Sequence, residues 1–185
     1  MARIKGVALL SRMAMLKEHF GDDAVMQVTA LLTEENRALL TGGGLLSSSW
    51  YPAEVFKDLN VAIYRVLRTK EPNVMEKLGE LTAEMGLTTI HKMKVKETPE
   101  ETLRRIPMLW DAFHDSGTFT VESKPGKASF RVEGYGLPHR EFCRNLSGWG
   151  KKIIELSGGK NATAKEMKCV CNGDPYCETV VTWDT

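Results

Sequence analysis

The segment EMKCVCNGDPYC, residues 166–177, carries three of the four cysteines of this chain around a tight turn. The turn, Asn172–Pro175, is rich in residues that favour a chain reversal. If two antiparallel strands meet about Gly173, Cys169 and Cys177 each lie four positions away and face each other. Side chains that face each other in this way have Cβ atoms about 4.5–5.5 Å apart. That separation suits a shared metal ion, and two oxidised thiols could form a disulfide there instead.

A metal site at this hairpin would draw on a further cysteine, Cys143, from the preceding helix. Zinc favours four thiolate, imidazole or carboxylate ligands in a tetrahedron. Spacing alone leaves the fourth ligand open. Glu166 lies three residues before Cys169, so it faces the other way unless a bulge turns the strand. His139 shares the helical face of Cys143, and Cys171 shares the strand face of Cys169. The competing interpretation is that the cysteines pack as small hydrophobic residues.

The composition is that of one ordinary globular domain. The chain has 185 residues, of which 42% are hydrophobic, and its formal charge is +1 from 25 basic and 24 acidic residues. This balance gives no electrostatic footprint for nucleic acid. The sequence shows no signal peptide and no stretch that approaches a membrane span. We therefore expect a cytoplasmic protein with no nucleic-acid or membrane partner, in a compartment where clustered cysteines hold metal more often than disulfides.

Residues 1–86 are predicted to be mainly helical. Apolar residues recur at helical spacing over residues 4–20, and Gly21 supplies a stop. The apolar helices from Ile4 to Leu40 are the expected surface of a homodimer. Further helix starts are predicted at Asp22, Thr33, Pro52 and Pro72.

Residues 87–185 are predicted to combine strands and helices. Residues 88–95 read as a strand, and Thr98–Glu101 is a capping-box start for a helix that Pro107 kinks. The predicted fold class is α+β, with N-terminal helices followed by an antiparallel sheet and a zinc-clamped C-terminal β-hairpin. The remaining predicted elements are a hairpin of residues 118–123 and 127–133, a helix over 138–156, and a hairpin of residues 162–171 and 176–183.

From Gly134 to Trp183 the chain resembles the end of a 4-vinyl-reductase-type domain. The matching residues are Cys143, Gly148-Trp149, Gly158-Gly159, the run 166–169 and the run 173–177. The resemblance implies the fold shared by haem-NO sensors and Golgi transport subunits. The phenol-sensing regulators of that group hold zinc with three Cys and one Glu. The resemblance therefore implies zinc as the cofactor, bound by Cys143, Glu166, Cys169 and Cys177. The whole chain, including residues 47–52 and Leu78-Gly79, also resembles a paralogous family expanded in myxobacteria.

The same resemblance implies a ligand pocket between the helices and the sheet. Such a pocket needs apolar walls and a few polar anchors. Tryptophan and histidine can hydrogen-bond a ligand hydroxyl, and a proline kink can open space beside a helix. The His and Trp ligand residues of the phenol sensors have no counterparts at matching positions, so the ligand is not predicted. The candidate ligand-binding residues are Trp110, Phe113, His114, Phe119 and Tyr135.

No catalytic motif stands out. Residues 47–49 are three serines without a G-x-S-x-G elbow, and Gly42–Gly44 lacks the Lys-Ser/Thr of a phosphate loop. The expected function is a non-enzymatic zinc-containing sensory domain that binds a hydrophobic or aromatic small molecule and signals through contacts with a partner protein. One alternative is a ligand-free assembly or trafficking adaptor. Another is a haem-based gas sensor with His91 or His114 as the iron ligand.

Overall fold

The computed structural model describes residues 1–86 and 98–184. It confirms the α+β class, because N-terminal helices precede an antiparallel sheet. The helices are α1 Gly6–Ala30, α2 Glu34–Thr41, α3 Ala53–Leu67, α4 Val74–Met85, α5 Pro99–Leu103, α6 Pro107–Phe113 and α7 Arg140–Leu156. The strands are β1 Arg3–Lys5, β2 Trp50–Pro52, β3 Thr118–Lys124, β4 Lys127–Glu133, β5 Lys160–Lys168 and β6 Cys177–Asp184.

Local sequence signals set several of the helix boundaries. Gly21 interrupts α1 with φ 82° and ψ 174°, a conformation that glycine adopts without steric cost. The Thr33 hydroxyl accepts a hydrogen bond from the backbone N–H of Asn36 at 3.2 Å and caps α2. Pro107 was predicted to kink one long helix, and this prediction is wrong. It begins α6, because its missing N–H is tolerated at the first helical position.

The main sheet has the strand order β3-β4-β6-β5, and all of its neighbouring strands are antiparallel. In the last hairpin Lys168 pairs with Glu178, which is the register predicted around Gly173. A register shift lies between Glu166 and Lys168, so the strand carries an irregularity there. The strand predicted over residues 88–95 lies outside the described residues.

Helix α7 is the central element, since it packs on α4 on one side and on β5 and β6 on the other. Two glycines permit the close approach of α4 and α7. A Cβ at Gly148 would collide with the backbone of Glu76, and one at Gly79 would collide with the backbone of Asn145. Only glycine therefore fits at these two crossing points.

The N-terminal strand links the two parts of the chain. Arg3 and Asp115 form an ion pair with an Nε–Oδ2 distance of 2.6 Å, and the backbone N–H of Arg3 donates to Asp115 at 2.6 Å. Ile4 pairs with Tyr51 in β2 and also forms a β-bridge with His114, directly after α6. Among the described helices, none combines the length and the apolar character needed to cross a bilayer.

Candidate ligand-binding pocket and cysteine cluster

A pocket of about 150 Å³ lies among the helices beside the sheet. An engineered protein cavity of about this size stays dry and binds benzene. The pocket wall is almost entirely apolar, so it favours a ligand with little polar surface. Representative apolar wall residues are Ile4, Met15, Phe56, Ile106, Leu146 and Trp149.

The predicted ligand-binding residues lie together at this pocket. Trp110, Phe113, His114 and Phe119 line it. The His114 ring stacks on the Trp110 indole with a centroid distance of 4.0 Å, and Phe119 stacks on the same indole at 5.6 Å. Tyr135 is not in the wall; its ring supports the cluster edge-on, 5.6 Å from both Trp110 and His114. The fold thus assembles an aromatic wall from α6 and β3.

The indole of Trp110 is not available as a polar anchor for a ligand. Its Nε1–H donates to the carbonyl oxygens of Ser116 at 3.0 Å and Gly117 at 3.1 Å. The N–H that was expected to hydrogen-bond a ligand hydroxyl is therefore already paired within the protein. For His114, burial lowers the pKa to about 4, while the Trp110 carbonyl near Nδ1 and the charge of Asp115 oppose that change. The imidazole is consequently neutral at physiological pH.

Arg12 is the charged side chain in the described pocket wall. It is only 3% exposed, and its Nη1 has no hydrogen-bond partner among the described residues. The guanidinium carbon lies 5.2 Å from the centroid of the Phe56 ring, so an aromatic face provides a cation–π contact. Burial lowers the pKa of Arg12 to about 10. An arginine so placed still carries its charge at neutral pH.

Sequence reasoning missed Arg12, although a signal was present. The residue lies three positions after Leu9 and four before Leu16, and both leucines are completely buried. Helical periodicity therefore places Arg12 on the face of α1 that enters the core. A charged residue at a core position is either paired or functional, and this rule would have singled it out.

The second cluster consists of buried thiols between α7 and the last hairpin. The Sγ of Cys143 lies 3.5 Å from the Sγ of Cys177 and 3.4 Å from that of Cys169. The hydrogen bond with Cys177, followed by burial, raises the pKa of Cys143. The same hydrogen bond, helped by the N–H of Val170, lowers the pKa of Cys177. The predicted meeting of a helical cysteine with the two hairpin cysteines is thus present.

The other predicted or alternative metal ligands are placed differently. Glu166 forms an ion pair with Arg140 at 2.8 Å. His139 is buried, with Nδ1 3.1 Å from the carbonyl oxygen of Leu137 and Nε2 3.4 Å from the Asn60 amide nitrogen. In the described chain, the group of His, Cys, Asp and Glu residues with mutually close ligand atoms is Cys143, Cys169 and the exposed Cys171.

Comparison with known proteins relates the chain to one fold. No protein-family model and no curated protein matches it. A mutant of the Fe(II) unliganded H-NOX protein from K. algicida has a TM-score of 0.69 and 14% identity, over 98% of this chain and 97% of that one. The Fe(II)NO form of an H-NOX protein from S. oneidensis has a TM-score of 0.66 and 11% identity, over 98% of this chain and 99% of that one. A structure from work on haem distortion in the H-NOX family has a TM-score of 0.69 and 8% identity, over 98% of this chain and 95% of that one. The chain therefore has the H-NOX fold.

These comparisons correct two expectations. The chain has the H-NOX fold, as the resemblance to haem-NO sensors implied, but the relation to 4-vinyl-reductase domains and to a myxobacterial family is not supported. The prediction that zinc is the cofactor is wrong, because the solved structures of this fold concern haem and Fe(II). The described cysteine cluster also lacks the predicted carboxylate, since Glu166 is bound to Arg140.

Haem itself does not fit the described residues. It is a macrocycle of four pyrrole rings with two carboxylate side chains, held by an axial ligand such as histidine. A pocket sized for one benzene ring cannot take that macrocycle beside the aromatic side chains already there. His114 is the imidazole in the described wall, and its face lies against Trp110 at 4.0 Å. His91, the other predicted iron ligand, lies outside the described residues.

Proposed function

We propose that this protein is a haem-free, non-enzymatic sensory domain. It binds one small hydrophobic molecule, about the size of a single aromatic ring, in the pocket beside α6. The observation that carries the proposal is the apolar pocket of about 150 Å³ walled by Trp110, Phe113, His114 and Phe119. Its volume suits a single ring. The H-NOX fold supports a sensory role, because the chain follows that fold over nearly its whole length.

The output of such a domain passes through protein contacts. Wall residues come from the N-terminal strand, α1 and α6, so a ligand touches elements from both parts of the chain. A homodimer formed by the helices of residues 4–40 and a signalling partner protein both stay predictions. Cytoplasmic location and the single domain over residues 1–185 stay predictions as well.

The proposal is tested by filling the pocket with a larger side chain from its own wall. Ala8 lies in the wall on α1, whereas Ala14 is exposed on the same helix. The Ala8→Phe side chain should occupy the space of a ligand ring, and Ala14→Phe is the matched control. Both variants and the unmodified protein are examined by native mass spectrometry for co-purifying molecules. Binding of toluene, benzyl alcohol and benzoate is measured by thermal shift and calorimetry.

We expect at least one of these compounds, or a co-purifying molecule, to bind the unmodified protein and Ala14→Phe but not Ala8→Phe. A folded protein that retains no molecule and binds none of the probes would overturn the proposal and favour the ligand-free adaptor. A Soret absorbance band in the purified protein would overturn the haem-free assignment.

A further inference from the structure

The pocket wall includes one charged side chain, that of Arg12, which an apolar ligand would leave without a counter-ion. Arg12 belongs to α1 and is 3% exposed, and the apolar residues Leu9, Met15 and Leu16 of the same helix are buried as well. Arg12 belongs to the pocket wall, and its buried Nη1 donor has no partner among the described residues. A buried donor without a partner is rare, and a buried charge without a counter-ion is rarer.

The other polar side chains of the wall do not compensate this charge. The Thr82 hydroxyl donates to the carbonyl of Leu78 at 2.7 Å, and the Asn145 amide donates to the carbonyl of Met75 at 3.2 Å. His114 is neutral, because burial lowers its pKa to about 4. No carboxylate of the described chain forms an ion pair with Arg12 within 4 Å. Among the described residues, the wall thus presents a cation without a counter-ion, and an anion in the pocket would supply one.

We propose that the ligand is a small hydrophobic carboxylate, whose ring or short chain fills the apolar pocket and whose carboxylate pairs with the Arg12 guanidinium. This inference rests on the proposed function. A carboxylate is ionised at neutral pH and matches the two parallel donors of a guanidinium. A phenol has a pKa near 10 and enters largely neutral, so it would leave the arginine unpaired. The pocket volume limits the apolar part to about one ring.

The experiment compares benzoate with benzyl alcohol and benzamide, which have similar volume and no charge. Affinities are measured by calorimetry at pH 7 for the unmodified protein, Arg12→Met and Arg12→Lys. We expect benzoate to bind the unmodified protein about 10- to 100-fold more tightly than either neutral compound, because hydrogen bonds to charged groups are strong. Arg12→Met should lose this preference while it keeps the binding of benzyl alcohol, and Arg12→Lys should retain part of it.

Equal affinities for benzoate and its neutral analogues, or an unchanged preference in Arg12→Met, would overturn the carboxylate assignment and leave the pocket proposal intact. Failure of all three compounds to bind, together with an Ala8→Phe variant that behaves as its control, would instead count against the pocket itself. Arg12→Lys keeps the test decisive if Arg12→Met does not fold, because its charge is retained while the forked donor geometry is lost.

Discussion

Replacing Arg12 by methionine should make the ligand-free protein more stable. The pKa of Arg12 falls from 12.5 to about 10 on burial, and a tenfold change in proton affinity corresponds to about 1.4 kcal/mol. The charged side chain therefore costs the folded state about 3 kcal/mol at neutral pH. Methionine keeps the apolar stem and removes the charge, but it loses the cation–π contact with Phe56, which contributes about 1 kcal/mol.

The net expectation is a gain of about 2 kcal/mol in the free energy of unfolding, or about 4–8 °C in Tm for a chain of this length. The assay is urea denaturation followed by circular dichroism, with protein from which small molecules have been removed by refolding. Arg65→Met is the matched control, since Arg65 is exposed on α3 and its replacement should change stability by less than about 0.5 kcal/mol. A loss of stability in Arg12→Met would show that the guanidinium is satisfied within the protein, and would refute the reasoning.

Three further predictions concern packing, protonation and thiol access. Gly148→Ala should lower the free energy of unfolding by about 1–3 kcal/mol, since its Cβ would meet the backbone of Glu76, whereas Gly44→Ala faces open space and should be nearly neutral in urea titrations. The folded protein holds His114 neutral down to about pH 4 while the unfolded chain takes up its proton near pH 6.5, so stability should fall as the pH drops through this window. Since His114 is partly exposed, we expect the free energy of unfolding to fall by about 1 kcal/mol between pH 7 and pH 5. The His114→Asn variant should not show this loss. An equal dependence of stability on pH in both proteins would contradict the prediction. Cys171 is exposed and the other three cysteines are buried, so a thiol reagent should label about one site quickly in native protein, and Cys171→Ser should abolish that phase. Rapid labelling of several thiols would disagree with the described packing.

Much of the fold could be predicted because several of its boundaries follow local chemistry. Strand β1 overlaps the start of the helix predicted over residues 4–20, and its partner β2 was not predicted, because their pairing joins distant segments. Gly21, Thr33 and the Thr98–Glu101 cap act through hydrogen bonds or backbone angles within a few residues, and each has its predicted effect. The pairing of Lys168 with Glu178 about Gly173 agrees with the predicted register. The strand predicted over residues 162–171 ends earlier, at Lys168, because residues 170–172 form a 3-10 turn. Pro107 was interpreted wrongly, because a proline that kinks a helix and one that begins a helix look alike without the preceding turn.

The site was only partly predictable, since its chemistry depends on contacts between distant segments. The aromatic residues of α6 were recognised from their composition, but the carbonyls that occupy the Trp110 N–H come from the next loop and leave no mark in the helical pattern. The role of Glu166 depended on Arg140, which lies 26 residues earlier and binds it. Spacing within one segment identifies possible ligands, whereas the competing partner that captures a side chain is visible only in three dimensions.

The pocket wall begins close to the first residue of the chain. Ile4 is 1% exposed, lines the pocket and bridges to His114, while Arg3 is fixed to Asp115. A variant that lacks residues 3–5 would keep every described helix yet would lack this wall and its anchor. These three residues therefore bear directly on whether a recombinant preparation can recognise its ligand.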